Sequence, residues 1–104
     1  MSKMELRDLT NIQMEDFTCV LNQSFKCDMP FEGEFQLMEV VALNKQEDSR
    51  VKKHPFILVF HTSKKYPTKQ GVYHLTHHEV GTLAIFLVPV GESEEHVIFE
   101  ATFT

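Results

Sequence analysis

The sequence has few of the residues and segments that mark specialised classes of protein. Its 104 residues include two cysteines, Cys19 and Cys27, too few for a scaffold held by disulfides. Only four glycines and four prolines occur, which excludes a collagenous or low-complexity chain. No apolar run reaches the ~18–20 residues of a membrane helix, and no secretory signal opens the chain. We therefore expect a soluble, cytoplasmic protein with one domain over residues 1–104.

The first element that the sequence predicts is an amphipathic helix over residues 11–19. Thr10 and Gln13 have the spacing of a capping box, in which each side chain satisfies a backbone amide of the other residue. Ile12 and Phe17 begin an apolar stripe that would face the rest of the domain. The sequence therefore predicts one short helix at the N-terminus.

After this segment the apolar period changes from 3.6 to 2, which is typical of strands. The run 83–88 is apolar on both faces, which predicts a strand covered on both sides. The fold class expected is mainly β, with six antiparallel strands in a meander that forms a small barrel or a rolled sheet. Nine of the 11 aromatic residues are Phe, which suit the filling of such a core. The predicted strands cover residues 24–28, 34–43, 55–61, 70–77, 82–90 and 96–103.

Positive charge is concentrated in residues 45–69, which carry seven basic and two acidic residues in a chain of net charge −5. These charges form two loops on either side of one predicted strand, so they lie at opposite ends of it. Tyr66 is the one aromatic residue among them, too little for a base-stacking platform. We expect no nucleic-acid binding, and instead a surface for contact with another protein formed by Lys52, Lys53, Lys64, Lys65, Tyr66 and Lys69.

The second half of the chain carries a specific series of short patterns. They read PFxLxF from Pro55, QGxYxLxH from Gln70 with a following Gly81, FLVPV from Phe86, and EAxF from Glu100. This series resembles a family of small, functionally uncharacterised bacterial domains. The resemblance brings no catalytic or binding residues to this chain and suggests a part in a larger, phage-tail-like assembly. His78 departs from the family pattern, in which Pro is more frequent at that position.

The six histidines are the first candidates for metal chemistry. His78 and Glu79 begin a His-Glu-x-x-His pattern, but Thr82 stands where the second histidine is needed. On a strand, the odd spacing of His74 and His77 places them on opposite faces. We therefore predict no metal site and no cofactor. His77 is instead expected to form a hydrogen bond with the backbone of the following turn or with a nearby carboxylate, which would fix the hairpin.

Other polar residues have equally structural interpretations. Gln70 enters a strand before a glycine, where the backbone can bulge or approach closely. Glu100 lies in an otherwise apolar strand, where it is either solvated or paired. No Gly-x-Ser-x-Gly elbow and no phosphate-binding glycine loop occurs. We expect no enzymatic activity.

The functional hypothesis is a non-catalytic protein-binding or structural module. Its partner is another protein, with no role for a membrane, and the sequence leaves the oligomeric state open. One alternative is a barrel that binds a small molecule in an internal cavity. A second alternative is a metal or acid–base enzyme, which requires three or more of four residues to converge within ligand distance: His61, His77, His96 and Glu100.

Overall fold

Six antiparallel strands form a closed barrel in the computed structural model, which describes residues 6–43 and 55–103. The mainly β fold with a short N-terminal helix is therefore confirmed. The strands are β1 (Ser24–Met29), β2 (Gly33–Ala42), β3 (Phe56–Ser63), β4 (Gly71–His77), β5 (Gly81–Glu92) and β6 (His96–Phe103).

The order of the strands around the barrel is β1-β2-β3-β6-β5-β4. A simple meander, which would place β3 beside β4, is therefore wrong. The barrel consists of two three-stranded meanders, β1–β3 and β4–β6, which are joined where β3 pairs with β6 and where β1 pairs with β4. Residues 64–70 cross one end of the barrel to link the two halves. Alternation along a strand identifies its buried face but not its neighbour, so the sequence pattern was compatible with either order.

The interior is filled by aromatic rings centred on Phe35 of β2. Its ring lies 5.4 Å from those of Tyr73 in β4 and Phe99 in β6, and 6.3 Å from Phe60 in β3, all in edge-to-face contact. All four side chains are at most 1% exposed. Ring centroids at these separations are in direct contact, so one side chain from β2 spans the barrel to three other strands.

The crossing segment 64–70 covers one end of the barrel. Tyr66 stacks on Phe31, with 5.1 Å between ring centroids and 18° between planes. Phe31 in turn packs edge-on against Tyr73 at 5.8 Å. The Tyr73 hydroxyl donates a hydrogen bond to the carbonyl of Lys69, which fastens the crossing segment to β4.

The predicted helix over residues 11–19 is shorter than expected and is broken. A 3-10 helix covers Leu9–Asn11 and α1 covers Glu15–Thr18, with Ile12 extended between them. Ile12 and Phe17 are both buried, yet five residues along one helix would turn their side chains about 140° apart. The break allows both side chains to reach the core. Phe17 packs against two rings at the second end of the barrel, those of Phe56 and Phe103.

The capping box of Thr10 and Gln13 is also wrong. The Asp8 carboxylate accepts hydrogen bonds from the Thr10 amide at 2.9 Å and from its hydroxyl at 2.7 Å. The Gln13 amide donates to the carboxylate of Asp16 at 2.9 Å. Asp8 is the side-chain cap of the 3-10 helix. The N-cap of α1, Met14, makes no side-chain cap hydrogen bond, and Asp16 instead accepts from the residue before it.

Arginine contacts fasten the N-terminal segment to the turn between β4 and β5. The Arg7 amide donates to the Thr82 carbonyl at 2.7 Å, and its Nη1 donates to the Val80 carbonyl at 2.8 Å. Its Nη2 lies 3.3 Å from the Asp16 carboxylate.

Among the residues described, no helix has the length and apolar character needed to cross a membrane.

Candidate functional site

An apolar surface lies on the outside of the barrel at β1, β4 and β5. Val72 of β4 and Phe86 of β5 stand directly opposite each other and are 56% and 52% exposed. Met29 of β1 is 54% exposed and lies opposite His74. Ala84 and Val88 continue the same outward row of β5, since alternate residues share a face. We call this surface the outer apolar face: Met29, Val72, Ala84, Phe86 and Val88.

The outward row of β5 corrects the expectation that residues 83–88 are covered on both sides. Leu83, Ile85 and Leu87 are buried in the barrel, whereas Phe86 is exposed. Outward positions of an antiparallel sheet are usually polar, because that face meets water. An exposed aromatic and aliphatic pair at the centre of such a face is typical of an interaction surface. The doubly apolar run in the sequence was the signal for this surface.

Around the outer apolar face, charge appears only at its sides among the described strand positions. The outward residues of β4 and β5 from 72 to 88 carry no Lys, Arg, Asp or Glu. Lys26, opposite Thr76, and the exposed Asp28, next to Met29, lie at the β1 side. Glu100 lies opposite Val88 at the β6 side. An apolar centre with a charged rim is the usual composition of a protein–protein interface.

His77 lies inside the barrel at the end of β4, where both nitrogens of its ring are engaged. The Glu79 amide donates to Nδ1 at 3.0 Å, so that nitrogen is unprotonated. Nε2 then carries the proton and donates to Oε1 of Gln23 at 2.6 Å. Burial, and secondarily the neighbouring His78, lowers the pKa of His77. The neutral ring thus joins the β4–β5 turn to the segment before β1.

His77, His78 and Glu79 have one ligand atom each within 4.8 Å of one another. A metal ion at this trio would need a free lone pair on His77. Nδ1 already accepts the Glu79 amide, and Nε2 is protonated toward Gln23. Metal binding would break one of these buried hydrogen bonds, so the arrangement favours a fixed turn over a metal centre.

The predicted basic surface is only partly available for contact. Lys64 Nζ lies 3.0 Å from a Glu92 carboxylate oxygen, and Lys65 Nζ lies 5.3 Å from the centre of the Tyr66 ring. Tyr66 itself is half-buried against Phe31. Lys69 is exposed, while the predicted Lys52 and Lys53 lie outside the described residues.

The remaining candidates lie in separate parts of the barrel. Gln70 is exposed immediately before β4. Glu100 is half-buried on β6, opposite Val59 and Val88. His61 and His96 lie 6.0 Å apart between ring centroids, whereas His77 faces the interior against Phe25. The structure therefore brings His61 and His96 together and leaves His77 apart from them.

The cysteines have the surroundings of structural residues. Cys27 is buried, and its thiol donates to the Met29 carbonyl at 3.2 Å. Burial raises the pKa of the Cys27 thiol, which disfavours the nucleophilic thiolate. Cys19 is exposed, and its Sγ lies 3.8 Å from the Asp16 carbonyl.

The family model of a domain of unknown function, DUF6916, matches residues 12–103. This chain belongs to the DUF6916 family. The matched part of this DUF6916 chain contains α1 and all six strands, and so includes every residue of the outer apolar face. No curated protein and no solved structure is matched by the chain. The family therefore agrees with the predicted class of uncharacterised small domains.

Proposed function

We propose that this chain is a non-catalytic protein-binding module whose contact surface is the outer apolar face. The observation that carries the proposal is the opposed pair Val72 and Phe86, both more than half exposed. A buried aromatic anchor surrounded by smaller apolar residues is the usual energetic centre of an interface. Phe86 has that position, with Val72 across the strand pair and Ala84 and Val88 along its own strand.

The interior of the barrel supports this function over a small-molecule carrier. A carrier needs an internal apolar cavity, whereas Phe35 meets rings from three other strands at the centre of the barrel. An acid–base enzyme is disfavoured as well, because both nitrogens of His77 are occupied by structural hydrogen bonds. The outer wall is then the part of the described fold that offers a contact surface.

The rim of the face indicates the chemistry of the partner. Its centre is uncharged, so the partner presents an apolar patch of similar extent. Glu100 at the β6 side favours a partner with a basic group at the corresponding edge, whereas the β1 side carries both Lys26 and Asp28. This asymmetry would orient the complex. The sequence resemblance adds the proposal that this partner belongs to a larger, phage-tail-like assembly.

Site-specific photo-crosslinking tests this proposal in cells that express the protein naturally. A photoreactive phenylalanine analogue at position 86 is expected to give a discrete adduct with one partner. The matched control is position 41, because Val41 is also an exposed apolar residue, 39% exposed, on β2. Unlabelled F86E protein should reduce the yield of this adduct only slightly, because it should bind the partner weakly. Unlabelled V41E protein should reduce the yield as much as the unlabelled wild-type chain does.

Two results would overturn the proposal. One is crosslinking at position 86 that is no stronger or more selective than at position 41. The other is F86E competing as well as the wild-type chain. Circular dichroism of each variant shows that the barrel remains folded, which is expected because both side chains are on the outer wall.

A further inference from the structure

A second surface site lies on the outer wall of β2, β3 and β6. It is a polar groove of about 300 Å³. The residues that carry its chemistry are Glu34, Gln36, His61, Ser63, Lys65 and His96. The ammonium group of Lys65 is directed over the Tyr66 ring, 5.3 Å from its centroid. None of these residues belongs to the outer apolar face, so this groove is independent of the proposed protein contact.

Strand pairing determines how these side chains are arranged. His61 lies opposite Gln36 on β2 and opposite Ile98 on β6. His96 lies opposite Ser63, two residues along β3, so the two histidines are diagonal neighbours on the same face. Glu34 precedes Gln36 by two residues and therefore flanks Ser63 on the other side. A carboxylate and two imidazoles thus surround one serine.

The two imidazoles are free to act as ligands, in contrast to His77. Within residues 6–43 and 55–103, neither His61 nor His96 makes a side-chain hydrogen bond. Their rings contact each other, with 6.0 Å between centroids and 37° between planes. His61 is half-buried and His96 is exposed, so neither ring is held in place by another polar side chain of the described residues.

The separation of the rings suits a shared metal ion. With Zn–N bonds of about 2.0–2.1 Å and tetrahedral angles, two imidazoles on one ion hold their centroids about 5 Å apart. The observed 6.0 Å is about 1 Å wider, a difference that small side-chain rotations of surface histidines remove. Imidazole nitrogen is a preferred ligand of zinc, copper and nickel.

We propose that His61 and His96 bind one divalent transition-metal ion, with Glu34 as the third protein ligand. Glu34 must rotate to join them, because the one trio of ligand atoms already within 4.8 Å in the described chain is His77, His78 and Glu79. Three protein ligands and a water would complete a tetrahedral zinc site. Gln36, beside His61, offers an amide oxygen to orient that water; its Nε2 donates to the Asn22 carbonyl.

Isothermal titration of the untagged protein with Zn²⁺ tests the site. We expect one ion per chain, and affinity at least about tenfold weaker in H61A and in H96A. Loss of a mere outer-shell partner already weakens metal sites about 10–100-fold, and a lost ligand should do no less. The E34Q variant should also bind more weakly. Because all three residues lie on the outer wall, the variants should fold, which circular dichroism verifies.

Matched histidine variants make the result specific. H74A and H78A should leave Zn²⁺ affinity unchanged, since neither residue lies in the groove. Unchanged Zn²⁺ affinity in H61A would overturn the proposal. Loss of Zn²⁺ binding in H78A would also overturn it, because that result would assign the ion to the turn between β4 and β5. One ion per two chains would also overturn it. The F86E variant should retain full Zn²⁺ binding, so failure of the metal site and failure of the protein-binding function remain distinguishable.

Discussion

The contact between Gly33 and Tyr66 gives the sharpest test of how the barrel is closed. A Cβ atom added at Gly33 would lie 2.8 Å from Tyr66 Cζ and 3.1 Å from Cε1 and Cε2. Carbon atoms pack best at about 3.5–4.0 Å, so the G33A variant requires the ring to move by about 0.7 Å. The backbone at Gly33 does not require glycine, since its φ lies outside the left-handed region. The effect of G33A is therefore steric.

The structure limits where the Tyr66 ring can go. Phe31 is stacked on it at 5.1 Å, and Phe31 is held edge-on by Tyr73, which is 1% exposed. Overpacking of this kind costs about 1–3 kcal/mol, and we expect G33A to lower the free energy of unfolding by that amount. In a Y66A background the new methyl group enters vacated space. There the same change should be neutral, or stabilising by about 0.4–1 kcal/mol through the unfolded state.

A double-mutant cycle measured by urea unfolding checks this reasoning. The chain has no tryptophan, so the transition is followed by far-ultraviolet circular dichroism. G91A is the matched control, because a Cβ there would meet Ile98 Cδ1 at an ordinary 3.9 Å. The proposed contact would be refuted if G33A lowered the free energy of unfolding equally in the wild-type and Y66A backgrounds. It would also be refuted if G33A lowered that free energy no more than G91A does.

Three further variants test the turn and the N-terminal segment. G81A should lower the free energy of unfolding by about 1–2 kcal/mol, because Gly81 has φ of +99°; a neutral urea titration would contradict this. The lowered pKa of His77 means that the native state binds fewer protons than the unfolded chain. Stability is therefore expected to fall as pH drops below about 6.5, with a slope of at most about 1.4 kcal/mol per pH unit. Urea titrations from pH 7.5 to 5.5 should show a smaller slope for H77Q, and equal slopes would count against the assignment. R7M should lower the free energy of unfolding by about 1 kcal/mol, because it removes the hydrogen bond to Val80 and the ion pair with Asp16. An unchanged melting curve would mean that these two side-chain contacts do not stabilise the segment.

Most of the strands were predictable because buried and outward-facing residues alternate along them, although Leu58, Val59 and Phe60 of β3 are all buried. In β6, Val97, Phe99 and Ala101 are buried while the residues between them are not, and this alternation is written directly in the sequence. The mainly β class follows from the recurrence of a period of two in most of the strands. Local periodicity is sufficient to identify such a strand because successive side chains point alternately into the barrel and out of it.

The N-terminal helix was less predictable because two local signals conflicted. Ile12 and Phe17 have apolar side chains that both need burial, while Thr10 and Gln13 matched a familiar capping pattern. The structure resolves this by ending one turn at Ile12 and beginning another at Glu15. The free energy gained by burying two apolar side chains exceeds that gained by a continuous helix, because a short isolated helix has little stability of its own.

The candidate sites depend on strand order, which no local pattern contains. In a simple meander β3 would lie beside β4, and the outer-wall neighbours of His61 would be residues such as Val72 and His74. The observed order places β6 beside β3, which brings His96 within 6.0 Å of His61. The same order leaves β4 and β5 to form the outer apolar face on another part of the wall.

That order depends on residues 64–70 crossing the end of the barrel, and the crossing is secured by packing rather than by strand pairing. Tyr66 anchors the segment on Phe31, and the Lys64 amide donates to the Glu95 carbonyl at 3.3 Å. The latter contact joins the crossing segment to the turn that leads into His96. Disturbing the Gly33–Tyr66 contact should therefore weaken Zn²⁺ binding in the groove while leaving the distant pair Val72 and Phe86 in place.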